Sequence, residues 1–324
     1  MLTKRPNAQA TGEAERAISP TVVGIPRALL FHKYAPLWTT FFQSLGCEVI
    51  ISPQTNRQIL EQGIRHAIDE NCLAVKIFLG HVQYLLDKVD YVFIPHIECL
   101  HPQERMCVKL SGLADIVRNT FRAVRVLEYD VDVRKHQHET AELTRLGLEL
   151  NAHRPAVRAA VARAQMALRE HQRAEIEQQT RALAVPSDCR VLIVAHAYIV
   201  EDALMGKTIS RILKGLGVDV ICADRVDQEA ARTLSLKLSA DCYWTYSKEL
   251  LGGIETYKQF VDGIIFLMAF PCGPDSLIYT LCQHVLQNVP SCVLNLDELQ
   301  GDAGLKTRLE SFIDILRLKK EQPL

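Results

Sequence analysis

The stretch FPCGPDSL, residues 270–277, sets Cys272 between the most apolar run of the chain, VDGIIFLMA, and a Gly-Pro-Asp-Ser sequence of the kind that opens a helix. Gly273 permits close backbone approach, Pro274 suits a first helical turn, and Asp275 and Ser276 are polar residues at an N-terminus. A thiolate there is stabilised by unpaired amides and by the positive end of the helix dipole. Cys99 and Cys107, in PHIECLHPQERMCVKLSG, fall in the loop after the strand-like VDYVFIP, and Cys72, in DENCLAVKIFLGH, reads as the end of the preceding helix. These thiols are the candidates for chemistry, above all as ligands of a shared metal centre. Their wide spacing matches neither a zinc ribbon nor the close-set cysteine runs of ferredoxins, so a metal site on Cys72, Cys107 and Cys272 has to be assembled by the fold. The competing reading is a turn cysteine that packs or stays free.

The other cysteines divide by setting. Cys47, Cys189, Cys222, Cys282 and Cys292 lie in or beside apolar segments, where cysteine acts as a small buried hydrophobe, and Cys242 in ADCYWTYS fits either role. Ten cysteines without one CxxC do not describe a disulfide scaffold. Thirty-seven basic against 38 acidic residues leave a net charge of -1, which argues against nucleic acid or a membrane surface as partner. No apolar run approaches the roughly 18 residues of a membrane span, and MLTKRPNAQATGEAERAISP lacks a signal-peptide core. The expectation is a cytoplasmic protein with a mobile tail over residues 1–20.

The elements that must position these thiols alternate. TVVGIP, CEVIISP, VDYVFIP and AVRVLEYDV read as strands, with helices at KYAPLWTTFFQSLG, NRQILEQGIRHAIDEN and SGLADIVRNTFR between them. CRVLIVAHA, VDVICADRV, VDGIIFLMAF and SCVLNLDEL repeat the plan, again separated by amphipathic segments. Such alternation implies parallel strands with right-handed crossovers. The expected architecture is α/β: two doubly wound, flavodoxin-like parallel-sheet lobes, over 21–132 and 187–324, with a cleft between them. A helical connector over 133–186, of two long helices broken near Pro155, joins the lobes. Ligands of open α/β sheets collect beyond the carboxyl ends of the strands, where Cys107 and Cys272 fall. Gly252–Gly253 in SKELLGGIE reads as a flexible turn, and neither GxGxxG nor GxxxxGK occurs.

The segments VKIFLGHVQYLL, VDYVFIP, CVKLSGLADIVR, HAYIVED, VDGIIFLMAFPCGPDSL and LDELQGDAGLKTRLESFIDIL together resemble the acyl-CoA dehydratase activase-related proteins, from about residue 21 to residue 318. Those proteins are related to 2-hydroxyacyl-CoA dehydratase subunits and to double-cubane cluster proteins. The resemblance implies a 4Fe-4S cluster, or a larger double-cubane cluster, with ligands that map onto Cys72, Cys107 and Cys272. It implies an ATP-dependent activase as partner and source of low-potential electrons, a small-molecule or acyl-CoA substrate, and pairing into a dimer. This chain departs from the family pattern where prolines are expected, with CLAVK, CVK, GLAD and HAYIVED in their place, which affects the loop geometry and leaves the thiols.

Two other functions fit the same residues: a docking or assembly module for an activase that does not turn over substrate, and a cluster-free small-molecule binding protein. Lys76 and Lys109 follow ligand candidates closely enough to steady thiolates and added electrons. His81 and His196 are structural or proton-relaying histidines, and Asp297, Glu298 and Arg308 are expected to form an ion-pair network around the last strand–helix turn.

Overall fold

The computed structural model describes residues 20–286, 289–299 and 301–321, so the expected tail lies outside the described residues up to residue 19. The first sheet is built from β1 (Val22–Ile25), α1 (Phe31–Ser44), β2 (Glu48–Ile51), α2 (Arg57–His66), α3 (Leu73–Leu85), β3 (Tyr91–Cys99), α4 (Val108–Ser111), α5 (Leu113–Thr120) and β4 (Val126–Asp132). Helices α6 (Glu139–Glu149) and α7 (Arg154–Leu183) follow. The second sheet comes from β5 (Arg190–Val194), α8 (Ala197–Val200), α9 (Gly206–Gly215), β6 (Asp219–Cys222), α10 (Gln228–Ser235), α11 (Thr245–Tyr257), β7 (Gly263–Ala269), α12 (Gly273–Val285), β8 (Ser291–Leu296) and α13 (Asp302–Glu321).

Both sheets are wholly parallel and have the same order, β2-β1-β3-β4 and β6-β5-β7-β8. This is the doubly wound, flavodoxin-like plan, present twice. Helices cover both faces, so β5 and β7 are buried at every residue and, apart from Arg190 at the start of β5, read as continuous apolar runs. In α7, Val157, Ala160, Val161, Ala164 and Leu168 form a buried stripe at helical spacing, and the helix lies along α1. Trp38, Phe42, Phe93 and Tyr129 pack edge to face or tilted in the first lobe. The core is continuous from that lobe to one face of the second sheet, and the other face of the second sheet has a separate core.

Three local expectations change. Strand β3 runs past Pro95 to Cys99, because β1 pairs with it only at Tyr91 and Val92 and leaves the side facing Pro95 without a ladder to break. The helix expected over 56–71 stops at His66, and Cys72 opens a further helix, α3, rather than closing one. Gly252 and Gly253 lie inside α11, where added Cβ atoms would meet the backbone of Ala231 and the Ala223 carbonyl oxygen at 2.2 and 1.9 Å. They are close-approach positions, not a turn.

Buried polar contacts lock the lobes together. The Arg27 amide donates to Ser52 Oγ, Ser52 Oγ lies 2.9 Å from His81 Nδ1, and Thr55 Oγ1 lies 3.0 Å from His81 Nε2 and donates to Asp202 across the seam. Because the Thr55 hydroxyl donates to Asp202, His81 Nε2–H donates to Thr55, and Nδ1 accepts from Ser52. Asp202 Oδ1 also accepts from the amides of Leu204 and Met205. Glu104, itself buried, takes Arg232 and Lys248 at 2.9 and 3.3 Å.

Burial, with His32 and Arg27 nearby, pushes the His81 imidazole down to about 3. The unfolded chain therefore binds a proton below about 6.5 that the folded chain refuses, so this contribution to stability is complete above that pH and is lost as pH falls toward 3. Between pH 7.5 and 4.5 the loss is on the order of 3 kcal/mol. Urea midpoints should fall over that range, and the fall should be smaller in His81→Gln. An equal fall in both would place the titration elsewhere, with His32, pushed down to about 4, as the first alternative.

Candidate functional site

Helices α3, α4 and α12 each begin on a cysteine. Cys72, Cys107 and Cys272 occupy the N-cap positions, each with extended backbone (φ −66, −61 and −93°) and none with a geometric side-chain cap. Ser, Thr, Asp or Asn is the residue type that stabilises such a position, and a thiol is a poor substitute. The three N-caps nevertheless meet: all three cysteines line a single small cavity of about 40 Å³ at the seam between the lobes, beyond the carboxyl ends of β3, β5 and β7. The Leu73 amide donates to the Phe270 carbonyl at 2.9 Å and so ties the Cys72 turn to the Cys272 turn. Arg105 bridges Tyr243 and Thr245 through its backbone and ties the Cys107 loop to the start of α11.

The rest of the wall is mostly apolar, with His196, Tyr198, Thr245, Tyr246, Ser247 and Asp275 as its main polar groups. His196 Nε2 lies 2.8 Å from Asp275 Oδ1, and the His196 ring stacks on Tyr198 at 5.0 Å. Burial works against the imidazolium, but the Asp275 carboxylate outweighs it and raises the His196 pKa. Burial raises the Cys72 thiol, with Cys107 and Asp275 acting the same way and the amides of Val75 and Ala74 opposing them. Burial followed by Asp275 drives the Cys272 thiol far up. The Tyr198 hydroxyl, on the same wall, is pushed well above its ordinary value by burial first, then by Asp275 and the three thiols.

Residues 22–226 match the family described as CoA enzyme activase uncharacterised domain (DUF2229). The chain belongs to that family. The matched stretch of this activase-related domain contains Cys72 and Cys107 and ends before Cys272, so the part of the cavity wall from Trp244 to Asp275 lies outside it. No curated protein matches the chain. Among solved structures, a carbohydrate transporter from Acidothermus cellulolyticus 11B in complex with myo-inositol is similar at 11% identity over 93% of this chain and 86% of its own, with a TM-score of 0.21. A likeness of that degree supports no inference about fold or ligand.

Within this member of the family, the other sequence candidates separate. Cys99 is fully buried at the end of β3, donates to the His101 carbonyl at 2.9 Å, and is off the cavity wall. Lys109 lines the cavity and donates to Asn71 Oδ1 at 2.8 Å, whereas Lys76 pairs with Glu298 at 2.5 Å. The expected Asp297–Glu298–Arg308 network does not form: Asp297 accepts from the Leu299 amide, Glu298 reaches α3, and Arg308 donates to the Val293 carbonyl. His81 belongs to the lobe lock and His196 to the cavity. Sequence reasoning missed Thr245, Tyr246, Ser247 and Arg105, which carry no motif and reach the wall only through the closure of the two lobes. Among the described residues, no three His, Cys, Asp or Glu side chains are grouped so as to hold a single metal ion, and no helix is long and apolar enough to cross a membrane.

Proposed function

We propose that this activase-related protein carries a 4Fe-4S cluster on Cys72, Cys107 and Cys272, receives low-potential electrons from an ATP-dependent activase, and passes them to a small substrate or acyl-CoA. The observation that carries the reading is the convergence of three N-cap thiols, distant in sequence, on one cavity. The donor set fits: all three are thiols, the ligand type that iron–sulfur clusters prefer. Cluster thiolates bind different irons and need not converge on one point, which agrees with their failure to form a single-ion site. When bound, such a cluster supplies one-electron chemistry at a potential set by burial and hydrogen bonding.

The chain's own residues do the rest. Amides at the start of α3 oppose the burial that raises the Cys72 thiol, the apolar wall limits water, and the His196–Asp275 pair holds a proton at Nε2 on the cavity surface. Cys99 is not on the cavity wall and donates to the His101 carbonyl, which favours a single cubane over a double one.

Iron and acid-labile sulfide on anaerobically purified protein are expected at about four each per chain, with a paramagnetic resonance signal that changes on reduction. About twice that content would contradict a three-thiol centre. No iron after anaerobic reconstitution would sink the cluster and leave the docking module as the better reading.

A further inference from the structure

We propose that the first turn of α11 is a subsite for the carboxylate of a small acid with a short apolar chain, bound inside the three-cysteine cavity. Trp244 occupies the N-cap of this 13-residue helix and offers no side-chain cap. The Thr245 amide is engaged by the Arg105 carbonyl and the Lys248 amide by the Trp244 carbonyl, while those of Tyr246 and Ser247 donate to no acceptor among the described residues. That alone describes an ordinary helix start.

The side chains of the same turn add an independent observation. Thr245 and Ser247 line the cavity at 7% and 1% exposure, and the hydroxyls of both find no partner among the described residues. An orphaned buried hydroxyl is costly and calls for a partner that the fold does not provide. Two hydroxyls and two amides within three consecutive residues match the two oxygens of a carboxylate. Helices α3 and α12, also of 13 residues each, begin on the same wall and add the positive ends of their dipoles.

The charged groups facing the cavity fit a monoanion. Arg105 and Lys109 are on the wall, the first donating to the Glu104 carbonyl at 2.7 Å and the second to Asn71 Oδ1 at 2.8 Å, and Asp275 is engaged by His196 on one oxygen while its Oδ2 has no partner among the described residues. That free carboxylate oxygen opposes a dianion such as phosphate. Beyond the polar end, Leu29, Val75, Met106, Leu110, Trp244 and Pro274 make an apolar wall for a hydrocarbon tail. The subsite names the substrate class for the cavity read above as the reactive site, but its binding does not require the cluster.

Butyrate is the probe, and Trp244 is the reporter, since the second tryptophan, Trp38, is buried in the first lobe's core. Full-length protein, before and after iron chelation, should give a saturable change in tryptophan emission that Trp244→Phe abolishes. Ser247→Ala and Thr245→Val, checked for native circular dichroism, should each weaken butyrate at least tenfold, and butyramide should bind far more weakly than butyrate. Should Thr245→Val fail to fold, Ser247→Ala and the butyramide comparison still decide the matter. An absent response, equal binding of butyramide or phosphate, or wild-type affinity in folded Ser247→Ala would overturn the proposal. Butyrate binding in a chain that never takes up iron would remove the cluster and keep the subsite, and an iron-loaded chain blind to butyrate would do the reverse.

Discussion

Cys272→Ser protein, purified anaerobically, is expected to fold and to lose the proposed cluster, with iron and sulfide below one per chain against about four expected for wild type and no resonance signal. The argument for retained folding is physical. Cys272 is the N-cap of α12, a position where serine is strongly preferred, and the cysteine makes no geometric cap there. Serine restores an acceptor for the first-turn amides, so metal-free Cys272→Ser should be as stable as metal-free wild type or more so, by up to about 1 kcal/mol in urea unfolding. The same sign is expected at Cys72. Cysteine at these caps gives up local helix stability, which is the behaviour of positions held for chemistry. A fully loaded, reducible cluster in Cys272→Ser would refute the ligand assignment. A large loss of stability without metal would instead make Cys272 a packing residue.

The second large effect is on the scaffold. Helices α2 and α3 cross through a reciprocal glycine contact: a Cβ on Gly63 would meet the Lys76 carbonyl oxygen at 1.8 Å, and one on Gly80 would meet the Ile59 carbonyl oxygen at 1.9 Å. Backbone atoms cannot yield as a side-chain tip does, so the helices must separate. Gly80→Ala is expected to destabilise the protein by about 3 kcal/mol or more, at the upper end of overpacking. Because Cys72 begins α3, the same change should lower iron content. Gly215→Ala is the control: it sits at the end of α9 with nothing within 4 Å of the new Cβ, so removing glycine there should be neutral or slightly stabilising, by up to about 0.5 kcal/mol. Equal urea midpoints for Gly80→Ala and wild type would show that the helices tolerate separation.

Much of the fold was legible because its signals are local. Each of the eight strands begins within a segment read as a strand, although β3 runs on past Pro95, and the alternation with amphipathic helices implies parallel sheets. Helix α3 escaped because LAVKIFLGHVQYL is buried on nearly every face and so lacks the one-sided pattern that marks a surface helix. Helix α11 escaped because its glycine pair mimics a turn, although the glycines serve close packing against Ala223 and Ala231.

By itself the sequence determined the α/β alternation, the family and the three cysteines worth weighing, since strand and helix period, turn chemistry and residue type are properties of short segments. Only the tertiary structure decided that Cys72 opens a helix, that Cys99 turns inward, and that three N-caps share a wall with Thr245 and Ser247. Those facts depend on how two separately wound sheets dock. The docking is set by contacts between residues far apart in the chain, such as Thr55 with Asp202 and Leu73 with Phe270, which no local pattern encodes.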